Sequence, residues 1–245
     1  MTKISLHRFL ATDSSGDVSG VLTRPDDARC LYVFAHGAGA GLGHAFMEAC
    51  SERFAARGVA TFRYNFPFTE AGRGGPNPRP VLVKTVRSAV AEAASLAPDL
   101  PLFAGGKSMG GRMTSTAASQ EPLPTVRGLA FLGFPLHAPG RDSEDRGVHL
   151  ADVGLPMLFL QGTRDKLANL DLLTPLLEGL EPRPTLHVVE GADHAFHVLK
   201  RSGRTDDGVL DELCDTFVEW MSSRLDRCPP RLAKPPTLPA KPRSA

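Results

Sequence analysis

A serine in a glycine-rich turn is the feature of this chain that most directly suggests chemistry. Gly106, Ser108 and Gly110 form the pattern G-x-S-x-G. An apolar run over residues 100–104 precedes this pattern, and a segment that favours a helix, 109–120, follows it. A serine between a strand and a helix sits on so sharp a turn that its hydroxyl is exposed and its flanking positions require glycine. This setting predicts that Ser108 is a nucleophile.

A nucleophilic serine needs a histidine as its base and an acid that orients the histidine. In folds that contain this turn, the acid and the histidine follow the serine in chain order, on loops after later strands. The loop 162–166 holds one acid, Asp165, and the loop 190–197 holds His194. We therefore expect Ser108, Asp165 and His194 to form a catalytic set.

Simpler roles for these residues stay open. Aspartate is also a common cap of turns and helices, so Asp165 is alternatively a cap, and Asp171 is the closest rival acid. His194 and His197 are alternatively a metal-binding pair. Their spacing, however, does not match two ligands on one helical turn with a catalytic glutamate between them.

Backbone N–H groups near the serine are expected to hold the negative charge of a tetrahedral intermediate. One donor is Met109, directly after the nucleophile. The other comes from the glycine-rich loop after residue 35, with Ala38 as the first choice and Gly39 as the second. Residues at the carboxyl ends of the strands are candidates for substrate binding. These candidates are Gly37, Gly39, Asn65, Phe66, Lys107 and His137. Lys107 and Arg112, close to the serine, are either solvated or ion-paired side chains or contacts that recognise an acidic substrate.

Strands and helices in alternation must position these residues. Two segments of alternating polarity, 4–11 and 18–23, predict an antiparallel hairpin. Apolar runs typical of strands buried on both faces then alternate with helical segments, which predicts an α/β fold with a doubly wound, mostly parallel sheet. Strands are expected at 31–35, 59–64, 100–104, 128–134, 156–162 and 185–189, and helices at 44–57, 81–97, 109–120 and 209–225.

Length and composition predict one domain with a tail. The chain has 245 residues, 42% of them hydrophobic, which is enough for one large core over residues 1–227. From about Cys228 the composition changes to proline, lysine, arginine and alanine. This change predicts a Pro-rich disordered tail over 228–245.

The charge pattern argues against several classes of partner. Lysine and arginine number 28 against 27 aspartates and glutamates, and the charges are scattered, so we expect neither nucleic acid nor an anionic membrane as a partner. No apolar run approaches the roughly 20 residues of a membrane-spanning helix, and the N-terminus does not have the pattern of a secretory signal. The four cysteines are widely spaced, which is typical of reduced thiols in a cytoplasmic protein.

Taken together, the motifs resemble the α/β-hydrolase superfamily. The run 105–112 and the loops 36–40, 162–165 and 191–194 fit its pattern, and the resemblance covers about residues 28–225. More narrowly, the chain is similar to small bacterial hydrolases akin to testis-expressed protein 30 and to the hydrolase-like region of KAT8 regulatory NSL complex subunit 3. These proteins are dienelactone-hydrolase-like in outline.

This resemblance implies a serine hydrolase that cleaves an ester or a thioester by way of an acyl-enzyme, with no metal or cofactor. Only about twenty residues separate the predicted strand that ends at 134 from the strand that begins at 156. Many relatives insert a helical lid at this point, so we expect a fold without a lid domain. Members without a lid resemble esterases and thioesterases that act on small or accessible acyl groups.

A protein of another class is the alternative: a non-catalytic interaction module with a hydrolase fold. Fold alone does not guarantee activity, and the narrower resemblance includes a subunit of a complex. The complete set of Ser108, Asp165 and His194 argues against this alternative, because a scaffold needs none of the three. A homo-oligomer or a protein partner also stays open.

Overall fold

The structure, a computed structural model, describes residues 1–226 of the chain. In this part of the chain, eight strands form a single sheet. The tail predicted for 228–245 lies outside the described residues, and the domain boundary at 227 stays a prediction. The strands are β1 Thr2–Thr12, β2 Gly16–Pro25, β3 Cys30–Ala35, β4 Val59–Tyr64, β5 Leu102–Lys107, β6 Val126–Leu132, β7 Met157–Gly162 and β8 Thr185–Val189.

Antiparallel pairing is confined to the first edge of this sheet. The strand order is β1-β2-β4-β3-β5-β6-β7-β8, in which β1 pairs with β2 and β2 with β4 antiparallel, and all the later pairs are parallel. The hairpin is longer than predicted, because its pairing extends from Thr2 opposite Pro25 to Thr12 opposite Gly16. The predicted doubly wound, mostly parallel sheet with an N-terminal antiparallel hairpin is confirmed.

Helices cover both faces of the sheet and bury its apolar side chains. The helices are α1 Ala45–Ala55, α2 Pro67–Glu70, α3 Arg79–Leu96, α4 Met109–Gln120, α5 Leu170–Glu178 and α6 Asp206–Leu225, with 3₁₀ helices at Val148–Asp152 and Lys200–Ser202. Helices α1 and α6 pack on one face and α3, α4 and α5 on the other, which gives two hydrophobic cores. Helix α2 is a single turn after β4.

Helix α6 begins three residues earlier than the predicted start at 209. The Thr205 side chain caps it by accepting a hydrogen bond from the Gly208 N–H at 3.1 Å. Asp206 and Asp207 follow in the first turn, where negative charge is favourable at the positive end of the helix. The start predicted from apolar periodicity lies later because this first turn is polar.

The segment between β6 and β7 leaves the carboxyl edge of the sheet open. Residues 133–156 contain loops and the 3₁₀ helix Val148–Asp152, so there is no lid domain, as predicted. Within residues 1–226, no helix combines the length and the apolar character that crossing a membrane requires. The cytoplasmic location stays a prediction.

Candidate active site

Ser108 lies on the turn between β5 and α4, in a backbone conformation that is unusual for a residue with a side chain. Its φ is 51° and its ψ is −118°. The turn is tight because β5 and α4 approach β3: a Cβ at Gly106 would lie 2.3 Å from the Ala35 carbonyl oxygen, and one at Gly110 would lie 2.5 Å from the same atom. Only glycine fits at these two positions, so the glycines of the motif are required by this close approach.

Two loops bring a histidine and an aspartate to Ser108. His194 follows β8, and its Nε2 lies 2.9 Å from the Ser108 Oγ. Asp165 follows β7, and its Oδ2 accepts a hydrogen bond of 2.7 Å from the His194 Nδ1. Because β5, β7 and β8 run parallel, their carboxyl ends meet at one edge of the sheet, and residues distant in the chain become neighbours.

Asp165 is buried and accepts further hydrogen bonds. Gln161, on β7, donates from Nε2 to the Asp165 Oδ2 at 2.6 Å, and the Leu167 N–H donates to Oδ1 at 2.8 Å. The Gln161 Oε1 accepts in turn from the Phe134 N–H at 2.9 Å. Gln161 was not among the residues predicted from the sequence. The available signal was a glutamine within the otherwise apolar strand 157–162.

The two residues whose N–H groups are expected to hold an oxyanion lie beside Ser108 in the same cleft. Met109 is the first residue of α4, where an N–H has no acceptor within the helix. Ala38 is exposed on the turn in which Ala40 N donates to Gly37 O at 3.2 Å. Ala38, Met109 and Ser108 line the same cleft.

His36 anchors the start of the loop that carries Ala38, a role not predicted from the sequence. Its buried ring accepts a hydrogen bond of 3.1 Å from the Phe66 N–H at Nε2, so Nδ1 carries the proton and donates to Gly37 O at 2.7 Å. Burial lowers the pKa of His36 to about 4, which keeps the ring neutral. The backbone at residues 36–38 is therefore fixed to the end of β4.

A first cleft of about 320 Å³ extends from Ser108 past His194. Lys107 lines this cleft, and its amine donates a hydrogen bond of 2.6 Å to the His194 carbonyl oxygen. The amine also lies 5.8 Å from the centre of the Phe46 ring and 5.4 Å from that of Phe196. Burial lowers the pKa of Lys107 to about 8. Of the other residues predicted to bind substrate, Gly37 and Gly39 also line this cleft.

Asn65 and Phe66, two of the predicted substrate contacts, do not line either cleft at Ser108. The Asn65 side chain accepts a hydrogen bond from Leu42 N and donates one to Glu70, both at 2.9 Å, and it lines a separate groove of about 830 Å³ beside the hairpin. Phe66 has no exposed surface, because its ring packs on His36 and Phe68. Both residues shape the loop after β3 rather than contact a ligand at Ser108.

His137 is the third candidate that lies away from Ser108. It is only 3% exposed, and its Nε2 accepts a hydrogen bond from Asn169 N at 2.8 Å while Nδ1 donates to Ala138 O at 2.9 Å. These bonds fix the segment after β6 to the start of α5. Position at the carboxyl end of a strand predicted a substrate contact, but the ring points into the protein and serves this packing.

The metal-binding and rival-acid alternatives find little geometric support, whereas Asp165 does cap its own turn by accepting from the Leu167 N–H. The His197 Nδ1 bonds Asp206 at 2.8 Å, so it is engaged away from His194. Asp171 lies in the first turn of α5, and Asp193 accepts from two backbone N–H groups of its own loop. Among residues 1–226, no three histidine, cysteine, aspartate or glutamate side chains converge as metal ligands do.

Comparison with known families agrees with this arrangement of elements. The model of a family described as an alpha/beta hydrolase domain matches residues 28–222. The chain belongs to this family. The match includes the loops of Ser108, Asp165 and His194 and most of the sheet. The narrower resemblance to testis-expressed protein 30 and KAT8 regulatory NSL complex subunit 3 stays a prediction.

Solved structures of other alpha/beta hydrolases have the same fold. A dienelactone hydrolase from Anabaena variabilis is 18% identical, with a TM-score of 0.71 over 91% of this chain and 98% of that one. An alpha-beta serine hydrolase homologue from Coxiella burnetii is 18% identical, with a TM-score of 0.69 over 88% and 97%. A serine hydrolase without a lid from Xanthomonas campestris is 18% identical, with a TM-score of 0.65 over 88% and 95%.

Proposed function

We propose that this alpha/beta hydrolase is a serine hydrolase that cleaves esters or thioesters of small or accessible acyl groups through an acyl-enzyme. The observation that carries the proposal is the continuous hydrogen-bonded line from Asp165 through His194 to Ser108, which ends where two clefts open. Such a line supplies a nucleophile, a base within reach of its proton and an acid that orients the base.

In the first half of the reaction, the His194 Nε2 takes the proton of Ser108 while the Ser108 Oγ attacks the carbonyl carbon. The electron pair of the C=O bond moves to its oxygen, which the N–H groups of Met109 and Ala38 hold by hydrogen bonds. The Asp165 carboxylate stabilises the imidazolium that forms. When the tetrahedral intermediate collapses, His194 gives its proton to the departing oxygen or sulfur, and the acyl group stays on Ser108.

In the second half, water replaces the leaving group. His194, now neutral, takes a proton from water as the water oxygen attacks the acyl carbon, and the same two N–H groups hold the oxyanion. The bond to the Ser108 Oγ then breaks, and the Oγ recovers its proton from His194. The products are a carboxylic acid and an alcohol or thiol, and the enzyme returns to its starting state.

Hydrolysis of short-chain activated substrates tests this function. We expect the wild-type protein to release 4-nitrophenol from 4-nitrophenyl acetate and the free thiol from S-acetyl-N-acetylcysteamine. Ser108→Ala should reduce kcat for both substrates at least about 10³-fold. The matched control is Ser119→Ala, which removes a hydroxyl near the end of α4 that, among residues 1–226, bonds only the Thr116 carbonyl oxygen. This variant should keep wild-type rates.

Equal rates for the wild type and the folded Ser108→Ala variant would refute the role of Ser108. Thermal unfolding of each variant checks that it is folded. Absence of turnover by the wild type on both substrates, together with stable binding of a partner protein, would instead favour the non-catalytic interaction module.

A further inference from the structure

Three arginines converge on the second cleft that opens at Ser108. This cleft has a volume of about 510 Å³, and Ser108 and Met109 line it. Its wall includes Arg112 from α4, Arg79 from the start of α3 and Arg146 from the segment between β6 and β7. Arg112 follows Ser108 by one helical turn, a rise of about 6 Å, so its side chain begins close to the nucleophile.

These arginines have no carboxylate partner among residues 1–226. No salt bridge there includes Arg79, Arg112 or Arg146, whereas Arg57 pairs with two aspartates of α6. Arg146 donates to the His137 carbonyl oxygen at 3.0 Å, and the buried Nε of Arg112 has no hydrogen-bond partner in the part of the chain that the structure describes. Burial lowers the pKa of Arg112, and the charges of Arg146 and Arg79 lower it further.

The cleft therefore combines uncompensated positive charge with apolar walls. Arginine stays protonated in proteins, so three like charges share this space until an anion neutralises them. A guanidinium matches a carboxylate particularly well, because two parallel N–H groups donate to its two oxygens. The apolar part of the wall is formed by Leu82, Met113, Pro135, Pro139 and Leu167. An apolar chain that ends in a carboxylate fits both features.

The position of His194 decides which half of a substrate occupies this cleft. His194 lines the first cleft, with Phe46 and Met47, and does not line the second. Because His194 must protonate the leaving group, the leaving group belongs in the first cleft. The second cleft, which contains Met109 and the arginines, is left for the acyl chain.

We propose that Arg79, Arg112 and Arg146 bind a carboxylate at the far end of the acyl chain. The substrates would then be monoesters or monothioesters of dicarboxylic acids. This inference rests on the proposed function, because it takes the acyl-enzyme at Ser108 as given. It adds the chemical class of the acyl group, which the catalytic residues alone do not specify.

Thioesters of N-acetylcysteamine test the acyl half separately, since this leaving group is neutral. We compare glutaryl and adipyl thioesters with pentanoyl and hexanoyl thioesters by thiol release, after subtraction of the rate without enzyme. We expect kcat/KM of the wild type to be at least about 10-fold higher for the acyl groups that carry a carboxylate. A pentanoyl thioester of 3-mercaptopropionate places the carboxylate on the leaving group instead and should gain no such preference.

Substitutions at the arginines should remove the preference for acyl groups that carry a carboxylate and leave hydrolysis of the pentanoyl thioester nearly unchanged. Arg112→Gln and Arg79→Gln are each expected to lower kcat/KM for the glutaryl and adipyl thioesters about 10- to 100-fold, with the pentanoyl thioester changed less than about threefold. Arg79 is exposed, so its replacement keeps the test valid if Arg112→Gln does not fold. The control is Arg141→Gln, which alters an exposed arginine that does not line the cleft.

Three results would overturn this proposal, and a fourth would show that the proposed function itself fails. Equal kcat/KM for the glutaryl and pentanoyl thioesters in the wild type would overturn the proposal, and so would a preference for the carboxylate on the leaving group. A preference that survives both arginine substitutions would also overturn it. Failure of the proposed function itself is recognised separately, because then the wild type would hydrolyse none of the thioesters and Ser108 would not react with a fluorophosphonate.

Discussion

The carboxylate of Asp165 is held from several sides, and this determines how His194 is oriented. The Oδ2 atom accepts hydrogen bonds from the His194 Nδ1 and the Gln161 Nε2, while Oδ1 accepts from Leu167 N. Gln161 also accepts from Phe134 N, which ties the acid to the segment after β6. At the residue scale, the site therefore depends on a glutamine that never contacts the nucleophile.

Replacing Gln161 tests this dependence. Gln161→Leu removes a donor to Asp165 and leaves the buried Phe134 N–H without its acceptor, so we expect kcat to fall about 10-fold and the protein to lose about 1–3 kcal/mol of stability. KM should change little. The measurements are steady-state kinetics and urea unfolding, with Gln120→Leu at the exposed end of α4 as the control. A folded variant with wild-type kcat would show that Gln161 does not position Asp165.

At the scale of elements, Lys107 connects the end of β5 to the loop after β8. Its amine donates to the His194 carbonyl oxygen, and it is enclosed by Phe46 and Phe196. Burial lowers its pKa to about 8 from 10.5. Between these two pH values the unfolded chain binds a proton that the folded protein has released, so this lysine makes stability rise with pH.

The pH dependence of folding tests the environment of Lys107. We expect the free energy of unfolding of the wild type, relative to Lys107→Met, to increase between pH 8 and pH 10, with a slope of at most about 1.4 kcal/mol per pH unit. Urea unfolding at several pH values measures this difference. Lys166→Met, which removes an exposed lysine, is the control for the loss of one charge. A difference independent of pH would contradict the lowered pKa.

The sequence predicted elements and chain order better than side-chain direction. Apolar runs located the parallel strands within a few residues, and the G-x-S-x-G turn led to Asp165 and His194 because both follow strands of that sheet. Strand ends did not reveal whether a side chain faces a ligand. Phe66 and His137 were therefore predicted to contact the substrate but are buried. Gln161 was missed because nothing in the pattern identifies which buried polar residue meets which partner.

The arrangement of the whole molecule explains why the sequence, which offered Lys107 and Arg112 as contacts for an acidic substrate, did not predict that three arginines share one cleft. Arg79, Arg112 and Arg146 come from α3, α4 and the segment after β6, and only the packing of these parts around the sheet brings them together. The same packing separates two clefts at Ser108, one beside His194 and one beside the arginines. Since no lid covers the carboxyl edge in residues 1–226, both clefts open to solvent.

The most direct test of the account is fluorophosphonate labelling of the purified protein, read by intact mass and peptide mapping. The probe reacts with an activated serine and requires no knowledge of the substrate. We expect one adduct on the wild type, mapped to Ser108 and absent from Ser108→Ala. An adduct on another serine, or a folded wild-type protein that a small fluorophosphonate does not label, would contradict the claim that Ser108 is the nucleophile.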